Sequence, residues 1–182
     1  MTLWLVRHAQ PLIEAGICYG QLDMKADVEA TQDCAQALAD VLPEKIQAFV
    51  SPLQRCGQLA ITLATMRPDI TLKQDPRLQE MHFGNWEGRA WRDLPKADLD
   101  AWTADFGSYA AGENGESVTQ FMARVTAVFD ELPRDRDTLW ITHAGVIRAA
   151  QLLAAGVRNV EQASQWPADA PSYGQWCTLE MV

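Results

Sequence analysis

The sequence predicts an α/β protein built on parallel strands, and three features carry that expectation. Short, uninterrupted apolar runs at residues 3–6, 48–50 and 139–142 have the character of strands buried on both faces of a sheet. Helical apolar periods, rather than tight hairpin turns, lie between these runs. Two of the runs stop abruptly at a histidine, His8 and His143. In an open α/β sheet, ligands bind outside the carboxyl ends of the strands, so those two ends are where a site is expected.

The first strand ends at Arg7 and His8, followed by the small Ala9 and the breaker Pro11. Arg7 would offer a planar, permanently charged fork for a phosphate, and His8 a nucleophile or base with a pKa near neutrality. The dipeptide alone fits equally a salt-bridged arginine and a hydrogen-bonded loop histidine. Residues 11–23 have neither helical nor strand period and contain Gly16 and Gly20, so they read as a loop. From 27 to 42, Val28, Ala35, Leu38, Ala39 and Leu42 fall at helical spacing until Pro43 stops the pattern. The second strand runs into Ser51-Pro52 and a helix carrying Leu59, Ala60 and Leu63. Ser51 reads as its N-cap and Pro52 as its first residue. Arg55 then lies in the first turn, against the helix dipole, a position that favours a bound anion nearby.

Residues 70–72 read as a third strand. Residues 78–91 are irregular and punctuated by glycine, and Phe83, Trp86 and Trp91 must pack that loop down. Such a loop would keep Glu80 or Glu87 partly dry, where a carboxyl group holds its proton more readily. Glu80 is the acid–base candidate. Glu87 reads as a helix cap or a partner of Arg89 or Arg92, and His82 as an exposed or packing residue. A poorly patterned helix is expected from 95 to 109 and a loop over 112–117. Ser117 would cap the next helix, whose apolar face is Val118, Phe121, Met122, Val125, Val128 and Phe129. The strand at 139–142 ends at His143 and leads into an apolar helix reaching Gly156. Residues 157–174 read as loop and 176–182 as a last strand. Adjacent parallel strands would bring Arg7, His8, Arg55 and His143 to one edge of the sheet.

A length of 182 residues suits a single domain, 1–182, and 48% hydrophobic with 21% charged composition is ordinary for a soluble globule. The apolar runs are too short to span a bilayer, and the N-terminus lacks the pattern of a signal peptide. Cys18, Cys34, Cys56 and Cys177 are scattered with no CxxC pair. The expectation is a cytoplasmic protein with reduced, mostly buried thiols and no zinc site. A net charge of −9 argues against nucleic acid as a partner. It also means that a phosphate site would need arginines gathered locally. Several of the seven tryptophans are expected to line a cleft.

RHAQP at 7–11, SPLQRCGQLA at 51–60, LQEMHFGNWEG at 78–88, GENGES at 112–117 and ITHAGVIR at 141–148 stand in a familiar order. With that order and spacing the chain resembles the histidine phosphatase (phosphoglycerate-mutase-like) superfamily, to about residue 150. The resemblance implies a three-layer α/β/α sandwich with a mostly parallel, Rossmann-like sheet, and a metal-independent phosphomonoesterase. It places His8 as the nucleophile that becomes a phosphohistidine, with Arg7, Arg55 and His143 around the phosphoryl oxygens. Glu80 falls at the proton donor's position. No metal or other cofactor is implied, and the expected partner is a small phosphorylated substrate.

The departures are specific. Ala9 and Ala144 stand where the family has glycine, and Gln10-Pro11 where it has Glu-Thr. Glu14 occupies an asparagine position near the phosphate, where a carboxylate would repel an anion unless the loop turns it outward. Gly20 and Asp23 keep the Gly-x-x-Asp turn. The length and the loop at 19–23 resemble the short phosphatases, α-ribazole phosphatases among them, which makes α-ribazole 5′-phosphate the specific candidate substrate. A phosphoglycerate-type mutase and a non-catalytic relative binding a phosphorylated ligand or a partner are the alternatives. Nothing in the sequence sets an oligomeric state.

Overall fold

The computed structural model describes residues 1–181. In chain order its strands and helices are β1 (Thr2–Arg7), α1 (Val28–Val41), β2 (Gln47–Val50), α2 (Gln54–Met66) and β3 (Thr71–Gln74). They continue with α3 (Lys96–Ala104), α4 (Val118–Asp130), β4 (Thr138–Thr142), α5 (Ala144–Ala154) and β5 (Trp176–Glu180). The sheet order is β3-β2-β4-β1-β5, parallel except for β5, which pairs antiparallel with β1. The expected three-layer α/β/α arrangement is what forms.

Side-chain alternation along the strands explains the layers. Leu3 and Leu5 of β1 and Trp140 of β4 pack with α4 and α5, where Phe121, Met122 and Ile147 are buried. Val6, Leu139 and Ile141 point the other way, into the core formed with Leu38 of α1 and Leu59 and Leu63 of α2. Both faces of β4 are covered, and all five of its residues are buried. That is why its sequence is an apolar run rather than an alternation.

The helices follow their local signals. Asp27 caps α1 by accepting from the Ala30 N–H at 2.9 Å. Ser117 caps α4 in a full capping box: its Oγ accepts from Gln120 N–H at 3.2 Å, and Gln120 Oε1 accepts from Ser117 N–H at 2.9 Å. The six apolar residues expected on the inner face of α4 are all buried.

Four boundaries differ from the sequence expectation. α2 starts at Gln54 with Leu53 as its N-cap, two residues later than the Ser51-Pro52 reading. Ser51 instead prolongs β2, donating its N–H to Ile141 O at 3.0 Å, and Asp23 accepts from the Gln54 N–H at 2.8 Å. The third strand is shifted to 71–74, an exposed edge whose pattern gives no burial signal. α3 stops at Ala104, well short of 109. β5 ends at Glu180, Met181 is no longer in the strand, and Val182 lies outside the described residues. Cys18, Cys34 and Cys56 are buried and Cys177 half-buried, and none is in a disulfide. Among the described residues no helix is long and apolar enough to cross a membrane.

Because the capping box satisfies two otherwise unpaired N–H groups, Ser117→Ala is expected to lower folding stability by about 1 kcal/mol. Urea unfolding of the two proteins measures this, and coincident midpoints would show the box to be redundant.

Candidate active site

Strand register creates the centre of the site. β1 and β4 pair Arg7 with Thr142, so the next residues, His8 and His143, leave the sheet side by side. Their ring centroids are 5.1 Å apart and meet edge to face. β2 lies on the other side of β4, with Val50 opposite Ile141, and this sets Ser51 Oγ 2.8 Å from His143 Nε2. Ser51 bonds chiefly into the site, and its contact toward α2 is a long one, 3.4 Å from the N–H of the N-cap residue Leu53.

Both arginines are oriented by carbonyl oxygens. Arg55, fully buried in the first turn of α2, donates to Gly20 O at 2.6 Å and to Leu22 O at 3.0 Å. Arg7 donates from Nη1 to Pro171 O at 3.0 Å. Among the described residues neither forms an ion pair, whereas Arg67, Arg77, Arg124 and Arg158 are each paired with a carboxylate. Neutral acceptors fix a guanidinium without cancelling its charge, so the seat stays cationic. Arg7 Nε, Arg55 Nε and His143 Nδ1 are buried without a partner. Buried nitrogens left unmatched are costly, and a ligand bringing acceptor oxygens would satisfy them.

Glu80 lies across from these groups. Its Oε1 accepts from Met81 N–H and its Oε2 from Gly145 N–H, both at 3.0 Å. A Cβ at Gly145 would overlap Glu80 Oε1, so any side chain at this position at the start of α5 would push the carboxylate from its place. Arg124 pins the loop from below, donating to Gln79 O at 2.7 Å and Glu80 O at 2.8 Å while pairing with Glu116. Glu87 does cap a helix end, closing the short 3-10 turn at 84–86 with its N–H on Gly84 O at 3.1 Å, but it is not an arginine partner. It accepts the backbone N–H groups of Gln21 and Phe83 at 2.9 Å, and that of Leu22, tying two loops together. His82 is half-buried and not in the site, and Glu14 is exposed and does not line the cavity.

The electrostatics follow from burial beside cations. His8 is 2% exposed, and its pKa falls from 6.5 to about 3 through burial, then Arg55 and Arg7, against the opposing hydrogen bond to Ala9. His143, 1% exposed, is pushed well below its usual value by burial and by the charges of Arg55, His8, Arg124 and Arg7. His8 Nδ1 is 2.7 Å from Ala9 O. A carbonyl only accepts, so Nδ1 carries the proton and Nε2 the lone pair.

Arg7, His8, Glu80 and Tyr19 line one end of a cavity of about 560 Å³. Its remaining wall includes Phe83, Trp102, Phe106, Trp166 and Arg148. Arg55 and His143 are buried and are not among its lining residues. Two tryptophans therefore face the cleft, while Trp86 and Trp91 pack behind them. Sequence reasoning missed Tyr173, Arg124 and Trp166, whose chain positions carry no motif, and gave no role to Arg148, the last residue of the ITHAGVIR run. Only the folded loops bring them in.

The chain matches the histidine phosphatase superfamily (branch 1) over residues 3–179. It is 30% identical over 174 residues to an adenosylcobalamin/alpha-ribazole phosphatase of Salmonella typhimurium, covering 91% of this chain and 84% of that protein. The alpha-ribazole phosphatase of Shigella flexneri superposes with a TM-score of 0.78 at 25% identity, covering 100% and 91% of the two chains. A phosphoglycerate mutase of Thermus thermophilus superposes at 0.68 and 30% identity, covering 89% of each.

Unfolded histidine titrates near 6.5 and folded His8 near 3, so between those values the unfolded chain binds the extra proton. The contribution of His8 to stability is complete above pH 6.5 and is lost as pH falls toward 3. The stability–pH curve of His8→Asn should accordingly be flatter than wild type across that window in urea melts. Parallel curves would show that His8 is not held neutral.

Proposed function

The chain belongs to the histidine phosphatase superfamily, branch 1, as a phosphoric monoester hydrolase, and from that premise we propose that it works through a phosphohistidine on His8. One observation carries the proposal: the Nδ1–H of His8 is engaged by Ala9 O, which leaves the Nε2 lone pair of a cavity-lining ring free to attack. In the first step Nε2 bonds to phosphorus as the ester P–O bond breaks, and protonated Glu80 gives its proton to the departing alkoxide. In the second, Glu80 takes a proton from water, whose oxygen attacks phosphorus and releases His8 and inorganic phosphate. From the cavity wall Arg7 meets the phosphoryl oxygens, where the charge of a loose transition state resides. The unpartnered nitrogens of Arg55 and His143, buried beside His8, would reach them once the phosphoryl group sits on Nε2. Ala9 and Ala144 are small enough to leave that approach open.

The substrate we propose is a small phosphorylated metabolite, with α-ribazole 5′-phosphate the specific candidate. The relatives named for it and the flat walls of Trp102, Phe106 and Trp166 support this choice. Residues 1–182 would act as one histidine-phosphatase-like domain, and no step of the mechanism calls on a metal.

The test is phosphate release from p-nitrophenyl phosphate, α-ribazole 5′-phosphate, phosphoserine and 3-phosphoglycerate in EDTA. We expect α-ribazole 5′-phosphate to give the highest kcat/KM. His8→Ala should abolish release together with an acid-labile phosphoenzyme, and Glu80→Gln should lower kcat by roughly 10²- to 10⁴-fold. Release that survives in His8→Ala would overturn the mechanism. Phosphate moving to a second hydroxyl without appearing free in solution would favour the mutase reading.

A further inference from the structure

The segment before β5 wraps Arg7 more closely than strand pairing requires. Gly174 N–H donates to His8 O at 3.0 Å, and Arg7 N–H donates to Gln175 O at 3.0 Å, so residues 174–175 are stitched to the end of β1. Gly174 takes φ +70°, which turns the chain and sets Tyr173 above Arg7. The Arg7 Cζ lies 3.8 Å from the centroid of the Tyr173 ring. Pro171 O takes the Nη1 edge of the same guanidinium at 3.0 Å. The Tyr173 hydroxyl in turn bonds the hydroxyl of Tyr19, which arrives from the loop carrying Gly20 and lines the cavity. The same ring sits 5.6 Å from the His8 ring.

From this geometry we infer that Tyr173 is a positioning residue for the phosphate seat, acting through Arg7. With one face stacked and Nη1 engaged, the guanidinium cannot turn, and its Nε and Nη2 remain as a two-pronged edge. Nε is buried without a partner, and Nη2 makes no hydrogen bond among the described residues. Two parallel N–H groups at that edge match two oxygens of a phosphoryl group. The Tyr19–Tyr173 bond ties the C-terminal loop to the loop that also holds Arg55, so the two cations are set relative to each other. Stacking does this without adding negative charge, which an aspartate in the same place would do.

The inference rests on the reading of Arg7 as a phosphate ligand, and its test uses binding rather than turnover. A protein that binds phosphate but hydrolyses nothing would fail the phosphatase reading alone. Calorimetry with inorganic phosphate is expected to show Tyr173→Leu weakened about tenfold, the loss of one desolvated cation–π contact. Tyr173→Phe keeps the stack and should stay within about threefold of wild type. In an Arg7→Lys background, where no planar group remains to be stacked, Tyr173→Leu should add less than about twofold. The same tenfold loss in both backgrounds, or none in wild type, would overturn the inference. So would a tenfold loss in Tyr173→Phe, a result that holds even if the leucine variant fails to fold, and so would a wild type that binds no phosphate.

Discussion

The site depends on the parallel register of β1 on β4. Pairing Arg7 with Thr142 puts His8 and His143 at one level, and a slip of one residue would carry one of them about 3.3 Å along the sheet and onto its other face. The register is held by burial on both sides. Leu3, Leu5 and Trp140 would have to trade places with Val6, Leu139 and Ile141, and the two cores have different shapes. Site geometry is therefore guarded by the same packing that holds the fold together, and the free energy of the core stands behind the imidazole pair.

That pair is costly because it is dry and sits beside two guanidinium groups. The protein as a whole is acidic, with a net charge of −9, so its bulk field does not draw an anion in. What makes the seat cationic is local. Carbonyls of Gly20, Leu22 and Pro171 orient Arg55 and Arg7 and leave their charge intact, while both histidines respond to it by staying neutral. Glu80 is held apart from these cations by backbone N–H groups on its own loop and on α5. The carboxylate is kept within the cavity without forming the ion pair that would close the seat to a ligand.

The parts of this arrangement that were legible in the sequence are those set by periodicity and strand ends. Apolar runs placed β1, β2 and β4 within a residue or two, and the face of α4 was readable because its six residues follow one helical stripe. Arg7, His8, Arg55 and His143 converge as expected because parallel neighbours end at one edge. The reading of Ser51 as a helix cap fails for a tertiary reason. Its hydroxyl has a closer partner in His143, at the end of the neighbouring β4, than in the Leu53 N–H at 3.4 Å, and Asp23 from another loop takes over the capping. Glu87 is half legible: it does end a short 3-10 turn as a local pattern suggests, but its carboxylate makes no ion pair and is enclosed by backbone donors from residues 21, 22 and 83. β3 was misplaced because an exposed edge strand has no burial period to read. Tyr173 and Arg124 carry no motif, and their partners are 154 and 44 positions away in the chain.

The two ends of the cavity are built by different means, and this bears on how such a protein acquires its substrate. The cationic end comes from strand ends and the first turns of α2 and α5, elements whose positions the core fixes. The far wall comes from side chains on loops and on the short α3: Phe83, Trp102, Phe106 and Trp166 meet edge to face or tilted at centroid separations of 5.4 to 6.3 Å. These rings pack against one another more than against the sheet. An exchange among them would reshape the wall while β1 and β4 stayed in register, so this wall can change without disturbing the end that carries His8. A chain of this kind can keep its chemistry while its substrate changes, which is why the seat could be read from short motifs and the far wall required the folded structure.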